Sequence, residues 1–353
     1  MNQPGFFDLN RRYESLDAKN DPLVALNRMV PWERFRPQLL AALQAADQRA
    51  TEATRKSPAG RKPWDEVLIF KVLILQSLYN LGDDSVEYLI RDRLSFMRFL
   101  GLGLQDSVPD AKTVWLYREA LAKTDAAREL FDSFDAYLKK AGYAARGGQI
   151  VDATLVPVPI NRNTAEENAA LKAGEVPPKW KSAPAKLRQK DRDARWTRKN
   201  GKSHYGYKNH VNIDRPNKLV RRYEVTNAAC HDSQAFQSVV DADNSAADVW
   251  ADSAYRSAEM EEKLAGAGFR SRIHRRASRG HPLNAREEAA NKTRSKVRAR
   301  VEHVFGAMVT SMGGKMVRTI GLARARTKIG LQNLTYNMQR FIYLRRTRAA
   351  AAA

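Results

Sequence analysis

The sequence contains almost no cysteine and no long apolar run. Its 353 residues include a single cysteine, Cys230, which excludes an intramolecular disulfide and a cysteine-based zinc cluster. No stretch of about 20 uncharged apolar residues occurs, so we predict no membrane span. The N-terminal residues do not combine a basic segment with an apolar core, so no secretory signal is predicted. These absences favour a cytoplasmic protein, where cysteines stay reduced.

Acidic residues are scarce relative to basic ones. The chain carries 61 Lys and Arg against 39 Asp and Glu, a formal net charge of +22. Residues 254–353 hold 22 basic and six acidic residues, and residues 175–202 hold ten and three, whereas the charges elsewhere nearly cancel. Two concentrated basic blocks on a near-neutral body predict a polyanionic partner, and we favour nucleic acid over an acidic protein or a membrane surface.

The first part of the chain reads as helical. Residues 1–30 show little periodicity and are predicted to form an arm, whereas apolar residues recur at helical spacing from there to about residue 145. We therefore predict an all-helical N-terminal domain over residues 1–146. A helix that begins near Asp110 would place Lys112 and Arg118 close to DNA if it belongs to a helix-turn-helix. An ordinary amphipathic helix explains the same pattern equally well.

The pattern changes after residue 147, where β-branched segments alternate with helices. A loop-like basic insertion is predicted over residues 157–202, a long helix over 285–312 and a terminal helix over 323–344. The arrangement predicts an α/β domain over residues 147–345, with a mixed five-stranded sheet flanked by helices and a tail at 346–353. The five strands are predicted at residues 149–156, 205–213, 219–226, 248–251 and 269–274.

Three acidic residues occupy positions where such a sheet can bring them together. Asp152 lies inside an apolar strand, Asp252 closes the fourth strand, and Glu302 flanks the apolar stripe of a later helix. Each has an ordinary explanation when taken alone: an edge-strand acid, a helix cap and an exposed ion pair with Arg298. Converging at one end of a sheet, however, three carboxylates form the oxygen-rich site that Mg²⁺ or Mn²⁺ prefers. Two such ions can hold the attacking and leaving oxygens of a phosphoryl transfer.

The segments around these acids resemble those of bacterial insertion-sequence transposases of the DDE type, specifically the insertion-sequence-five group. The resemblance runs from the helical start near Trp32 to the segment 333–337. It implies an RNase H-like catalytic domain in which the three carboxylates hold the metal ions, and an N-terminal domain that binds the element's terminal inverted repeats. The segments that carry it are Ile150–Thr154, Ala251–Tyr255, Arg298–Gly306 and the second-strand stretch His204–His210.

The resemblance implies two chemically similar steps at one site. A metal-activated water cuts the element end to leave a 3′-hydroxyl, which then attacks target DNA. Because two ends must be held together, we expect a homodimer or a higher synaptic assembly on double-stranded DNA. The alternatives are a hydrolysis-only nuclease of the same fold, a transposase-derived DNA-binding protein without activity, and a basic RNA-binding module.

The helix around Glu302 departs from the group's usual pattern of Tyr, Arg, Glu and Lys. Arg298 and Glu302 match it, whereas Ser295 and Val309 stand at the Tyr and Lys positions. Two tryptophans of the insertion, Trp180 and Trp196, either stack on unpaired bases or hold the insertion against the body. We predict DNA contacts at Arg298, Arg294, Lys296, Lys292, Lys208, His210, Lys112, Arg118 and Lys315.

Overall fold

The chain forms two compact units in the computed structural model, which describes residues 8–51, 63–199, 201–277, 280 and 282–352. The helical unit comprises the described residues up to Leu138, Ser311–Gly313 and those from Gly330 onwards. The sheet unit comprises Lys139–Thr310 and Gly314–Ile329. The last helix therefore contributes its later part to the helical unit, although the sequence groups it with the sheet.

Helices account for most of the chain before the sheet. The predicted arm is helical from residue 8 onwards, and its first seven residues lie outside the described part. Asp21 begins the second helix by accepting a hydrogen bond from Leu23 N at 3.0 Å. The helices are α1 (Asp8–Ala18), α2 (Pro22–Met29), α3 (Arg36–Thr51), α4 (Glu66–Tyr79), α5 (Asp83–Asp92), α6 (Leu94–Leu100), α7 (Ala111–Thr124) and α8 (Ala126–Lys140).

An aromatic core holds the helical unit together. The α4 helix is apolar on nearly every face and is buried along most of its length, as its composition predicts. Phe35 lies 4.9 Å from the ring of Phe70 and 6.2 Å from that of Phe134. The last helix adds Phe341, whose ring meets Phe134 edge-on at 6.2 Å. Burial of these rings explains why residues so distant in sequence belong to one unit.

A mixed sheet organises the second unit, as predicted, although six strands are present in its described residues rather than five. The strands are β1 (Gln149–Pro157), β2 (Arg195–Lys199), β3 (Lys202–Asp214), β4 (Val220–Asn227), β5 (Asp248–Trp250) and β6 (Arg270–Ser271). β1 pairs antiparallel with β3, β3 pairs antiparallel with β4, and β1 pairs parallel with β5, which pairs parallel with β6. This order, β4-β3-β1-β5-β6, is that of an RNase H-like sheet.

The basic insertion is folded, so the prediction of a loop was wrong. It contains α9 (Ala165–Lys172), α10 (Pro178–Lys181), α11 (Pro184–Gln189) and the sixth strand, β2, which pairs with the start of β3. Trp180 is fully buried and donates its Nε1 hydrogen to Glu167 Oε1 at 2.6 Å. Trp180 therefore holds the insertion together. Its elements are too short to produce a periodic apolar pattern.

The predicted long helix is broken immediately before Glu302. The chain forms α12 (Phe236–Val239) and α13 (Ala258–Gly266), then α14 (Ala285–Arg298), α15 (Glu302–Thr310) and α16 (Leu322–Ala352). A tight turn, in which Val301 N donates to Arg298 O at 3.0 Å, separates α14 from α15. In the described part of the chain, no helix is both long and apolar enough to cross a membrane.

Candidate active site

Asp152 is a buried carboxylate in the middle of the sheet. It lies opposite Val211 of β3, and its side chain is only 10% exposed. One carboxylate oxygen accepts from Ala153 N at 2.8 Å, and the other accepts from Arg298 Nη1 at 2.5 Å. Burial raises the pKa of Asp152 to about 6, because the positive charge of Arg298 offsets the desolvation only in part. The negative charge of Asp252 acts in the same direction as burial.

Asp252 lies at the same edge of the sheet as Asp152. The parallel register of β1 and β5 matches Ile150 with Trp250, two residues before each aspartate. Asp252 Oδ1 accepts from Ala254 N at 2.8 Å and so caps the short turn that follows. The residue therefore serves as a local cap as well as placing a carboxylate at the carboxyl ends of the strands, where open sheets bind ligands.

Glu302 is exposed in the first turn of α15. Lys315 faces the same region, where its Nζ donates to Thr154 Oγ1 at 2.7 Å and lies 5.3 Å from the ring of Phe305. Burial lowers the pKa of Lys315, and the negative charge of Glu302 works against that shift. The break before α15 thus places the carboxylate of Glu302 in the same region as the ammonium group of Lys315, beside β1.

A single cavity of about 1000 Å³ brings these side chains together. All three predicted carboxylates line it, together with Arg298 and Lys315. Trp196, Lys199 and Lys202 from the β2–β3 hairpin line another part of its wall. The cavity therefore presents carboxylates beside cations and an exposed aromatic ring, an arrangement suited to a phosphodiester and its bases.

The donor chemistry of the cavity fits a hard divalent cation. Asp152, Asp252 and Glu302 offer only carboxylate oxygens, which Mg²⁺ and Mn²⁺ prefer to nitrogen or sulfur. Among the described residues, no three acidic, histidine or cysteine side chains are gathered closely enough to form a ready-made metal cluster. The guanidinium of Arg298 is the cation that neighbours Asp152 in this structure.

Comparison with known proteins decides the family. Residues 144–338 match the family model described as "Transposase DDE domain", which is more than half of the chain, and residues 11–120 match "Transposase domain (DUF772)". The chain belongs to the transposase DDE domain family. It is a transposase, an enzyme that acts on DNA, and this family generally uses divalent metal ions. The finer assignment to the insertion-sequence-five group stays a prediction.

A solved structure is also similar to this transposase. It is the cryo-EM structure of the piggyBac transposase synaptic complex with hairpin DNA. The two chains share 12% sequence identity with a TM-score of 0.49, and the match covers 91% of this chain and 75% of the other.

Two residues of β3 that were predicted to contact DNA are instead bound to other groups of the transposase. His210 is fully buried, and its Nε2 lies 2.9 Å from Thr226 Oγ1. Burial lowers the pKa of His210 to about 4, so the ring stays neutral near pH 7. Lys208 donates to Cys230 O at 2.6 Å and lies 2.8 Å from Asp232 Oδ1. We therefore correct both assignments, because this part of β3 lies between β1 and β4 and both side chains are bound by other groups of the protein.

Arg118 is likewise an internal residue. Its guanidinium is buried on α7 and binds Asp83 in a bidentate pair, with Nη2 at 2.8 Å from Oδ2, and Nη1 also reaches Gln76 Oε1 at 3.3 Å. Lys112, on the first turn of the same helix, is exposed. No local pattern indicates which charged residue of this helix faces inwards. The assignment of Arg118 to DNA is therefore corrected, whereas Lys112 stays a prediction.

Replacing Arg118 with alanine is expected to destabilise the helical unit without altering DNA affinity. The change leaves the carboxylate of Asp83 half-buried without its guanidinium, a loss of about 2 kcal/mol after allowance for its partial exposure. Lys112→Ala is the matched control, for which we expect unchanged stability and a smaller salt dependence of DNA binding. Thermal melting and binding titrations at several salt concentrations would measure both. An Arg118→Ala protein that melts like wild type would contradict the buried ion pair.

The remaining predicted contacts lie on α14. Lys292 and Lys296 are exposed, and Arg294 is half-buried and donates to Asn291 Oδ1 at 3.3 Å. Ser295, at the family's usual Tyr position, lies with its Oγ 3.3 Å from His274 Nε2. These exposed lysines remain candidates for phosphate contact.

His274 is a neighbour of the site that the sequence did not single out. Burial and, to a smaller extent, the positive charge of Arg298 lower the pKa of His274, and the negative charge of Asp252 opposes them. Its backbone nitrogen donates to Ala251 O at 3.1 Å, next to Asp252. Its position at the end of the predicted fifth strand was the only available signal, and that signal was too general to identify it.

Proposed function

We propose that this transposase cuts the ends of its element and joins the resulting 3′-hydroxyl to target DNA, with Asp152, Asp252 and Glu302 as the catalytic carboxylates. The observation that carries the proposal is the single cavity lined by all three acids. They come from a strand, from the end of its parallel neighbour and from the start of a later helix. Oxygen ligands at the edge of a sheet, beside basic residues, suit metal-assisted transfer of a phosphodiester.

The carboxylates would hold two Mg²⁺ or Mn²⁺ ions, which activate the attacking oxygen and stabilise the leaving one. The side chains of the chain itself position the DNA. Arg298 orients Asp152 through their 2.5 Å contact and can turn to a phosphate oxygen when DNA is bound. Lys315, held by Thr154, is placed to contact the same phosphodiester. Asp152 itself is largely shielded from bulk water.

Trp196 is suited to stack on a base that leaves the duplex near the cut. Unlike Trp180, its side chain is 44% exposed, and it packs against Tyr205 with 5.2 Å between ring centroids. It lies in the wall of the cavity beside Lys199 and Lys202. Aromatic stacking beside a basic track is a common way to hold unpaired nucleotides.

The helical unit would recognise the terminal repeats, with Lys112 at the start of α7 as one phosphate contact. Trp115 and Leu116 are exposed next to it, so this part of α7 offers an accessible surface. Because transposition needs two element ends at once, we propose a homodimer or a larger synaptic assembly as the active form.

Joining distinguishes this function from that of a hydrolysis-only nuclease. The test incubates the protein with a duplex that carries the element's own ends and with supercoiled target DNA, in Mg²⁺, in Mn²⁺ and in EDTA. We expect metal-dependent cutting followed by insertion into the target, and no reaction with shuffled ends. Cutting without joining would support the nuclease, and binding without cutting in either metal would support the inactive DNA-binding protein.

Metal binding should stabilise the protein only at pH values at which Asp152 is ionised. Its folded pKa of about 6 exceeds the ordinary value of 3.8, so the folded state binds the extra proton between those pH values. The stability of the metal-free protein should therefore fall as pH rises through this window, and a cation should offset that loss above it. We expect Mn²⁺ to raise the melting temperature at a pH about two units above this pKa and not at a pH about one unit below it. Asp152→Asn should show no such shift, and an equal shift at both pH values in wild type would contradict the role of Asp152.

A further inference from the structure

A second cavity is lined in part by the turn that follows Asp252. Its volume is about 700 Å³, and all its lining residues belong to the sheet unit. Ser253 and Ala254, the two residues after Asp252, form part of its wall. The cavity is also lined by His231, Arg256, Arg275, Arg276, Pro282, Leu283 and Glu287.

Positive charge dominates this second cavity. Glu287 is its one acidic lining residue, and that carboxylate already binds Arg275 and accepts from Asn284 N at 3.2 Å. Arg256 Nε lies 3.4 Å from Glu261 Oε1, whereas Arg276 is exposed and pairs with no carboxylate of the described residues. The cavity thus retains an uncompensated cationic group, Arg276.

Arg294 on α14 adds to the same positive region. Burial lowers its pKa, and so do the positive charges of Arg275, Arg256 and Arg272, in that order. The α14 helix also begins at this cavity, since Asn284 caps it directly after Pro282 and Leu283. Arginine clusters and helix N-termini both bind phosphate oxygens.

The position of the second cavity indicates which of the two DNA molecules it would bind. Strand transfer brings two DNA molecules to one set of carboxylates, the element end and the target. The first cavity, with Trp196, Lys199 and Lys202, offers a path for the element end. A target phosphodiester at Asp252 must continue away from the site, and the Ser253–Ala254 turn leads into the second cavity.

We propose that this arginine-lined cavity binds the phosphodiester backbone of target DNA during the joining step. The inference rests on the proposed function, because only joining requires a second DNA molecule. The contacts are with phosphate oxygens and carry no sequence preference of their own.

Arg276→Glu tests the proposal, because this exposed residue can change without disturbing a core. One assay joins pre-cleaved element ends to target DNA, and a second measures cutting of uncleaved ends with long flanking DNA. We expect joining to fall by about tenfold or more, as for loss of a charge-assisted contact, and cutting to stay unchanged. Arg286→Glu is the control, since it makes the same charge change at an exposed position of α14 outside the cavity lining.

A binding measurement without metal makes the test independent of catalysis. The slope of log affinity for nonspecific duplex against log salt concentration should become shallower by about one in Arg276→Gln. Equal melting temperatures would show that both Arg276 variants are folded.

Four results would overturn the proposal: joining that Arg276→Glu leaves intact, an equal fall in Arg286→Glu, an equal fall in cutting and joining, or a fall in cutting alone. The last would assign the cavity to flanking DNA. If wild type itself neither cuts nor joins, the proposed function fails instead, and an unchanged salt slope would separately exclude the phosphate site.

Discussion

Replacing Asp252 with asparagine is expected to reduce both cutting and joining at least about a hundredfold while DNA binding is retained. Loss of a hydrogen-bond partner that only orients a metal ligand costs about ten- to a hundredfold, so loss of a ligand itself should cost no less. Asparagine keeps a side-chain oxygen that can accept from Ala254 N, so the local turn should survive. Both steps should fail together, because in the proposed function one site carries out both.

Asp248→Asn is the matched control for this prediction. It changes an acid at the opposite end of the same short strand, where the carboxylate pairs with Arg270 and Arg272 outside the first cavity. We expect nearly normal cutting from this variant. Single-turnover cutting assays, with gel-shift measurements of binding, would compare the two. Normal cutting by Asp252→Asn would remove Asp252 from the proposed catalytic set.

Replacing Gly206 with alanine is expected to destabilise the sheet unit by about 4 kcal/mol or more, because the new methyl group has no space. Gly206 has φ +147°, and a Cβ there would lie 2.2 Å from Val156 O and 3.2 Å from Pro157 Cα. The obstruction is backbone of β1, which cannot move without disturbing the strand that carries Asp152. Gly206 is the point at which β3 pairs with both β1 and β2.

Gly201→Ala separates this clash from the general cost of replacing a glycine at positive φ. Gly201 has φ +76°, but a Cβ there meets nothing within 4 Å. We expect a loss of about 1 kcal/mol for this control. Thermal melting and hydrogen exchange of β1 amides would measure the difference in stability between the two variants. Similar melting temperatures would show that β1 and β3 can move apart to accommodate the methyl group at residue 206.

The catalytic candidates were recognisable from the sequence because each acid interrupts or ends an apolar segment. Asp152 lies inside a β-branched strand and Asp252 follows a short apolar one. Both can be recognised without knowing which residues lie near them in space. Which strands are neighbours in the sheet, including the parallel pairing of β1 with β5, comes from the structure. The local signals predicted the mixed sheet, and they missed β2 because that strand is polar and lies inside a basic segment.

The partners of individual charges were not predictable in the same way. Arg118, Lys208 and His210 have the composition of a DNA-binding surface, yet all three are engaged inside the protein. Burial depends on which elements pack against a residue, and those elements are far away in sequence. For Arg118 the decisive partner is Asp83, 35 residues earlier.

The sequence alone determined the helical region followed by a mixed sheet and singled out the three candidate acids, because hydrophobic periodicity and isolated polar interruptions are local properties of the chain. Only the tertiary structure decided that a turn places Glu302 at the start of α15, and that Arg298 neighbours Asp152, 146 residues away. Tertiary packing also formed a second, arginine-lined cavity beside the turn that follows Asp252. These features depend on the approach of distant segments, which is set by core packing and by the desolvation of charge rather than by any local pattern.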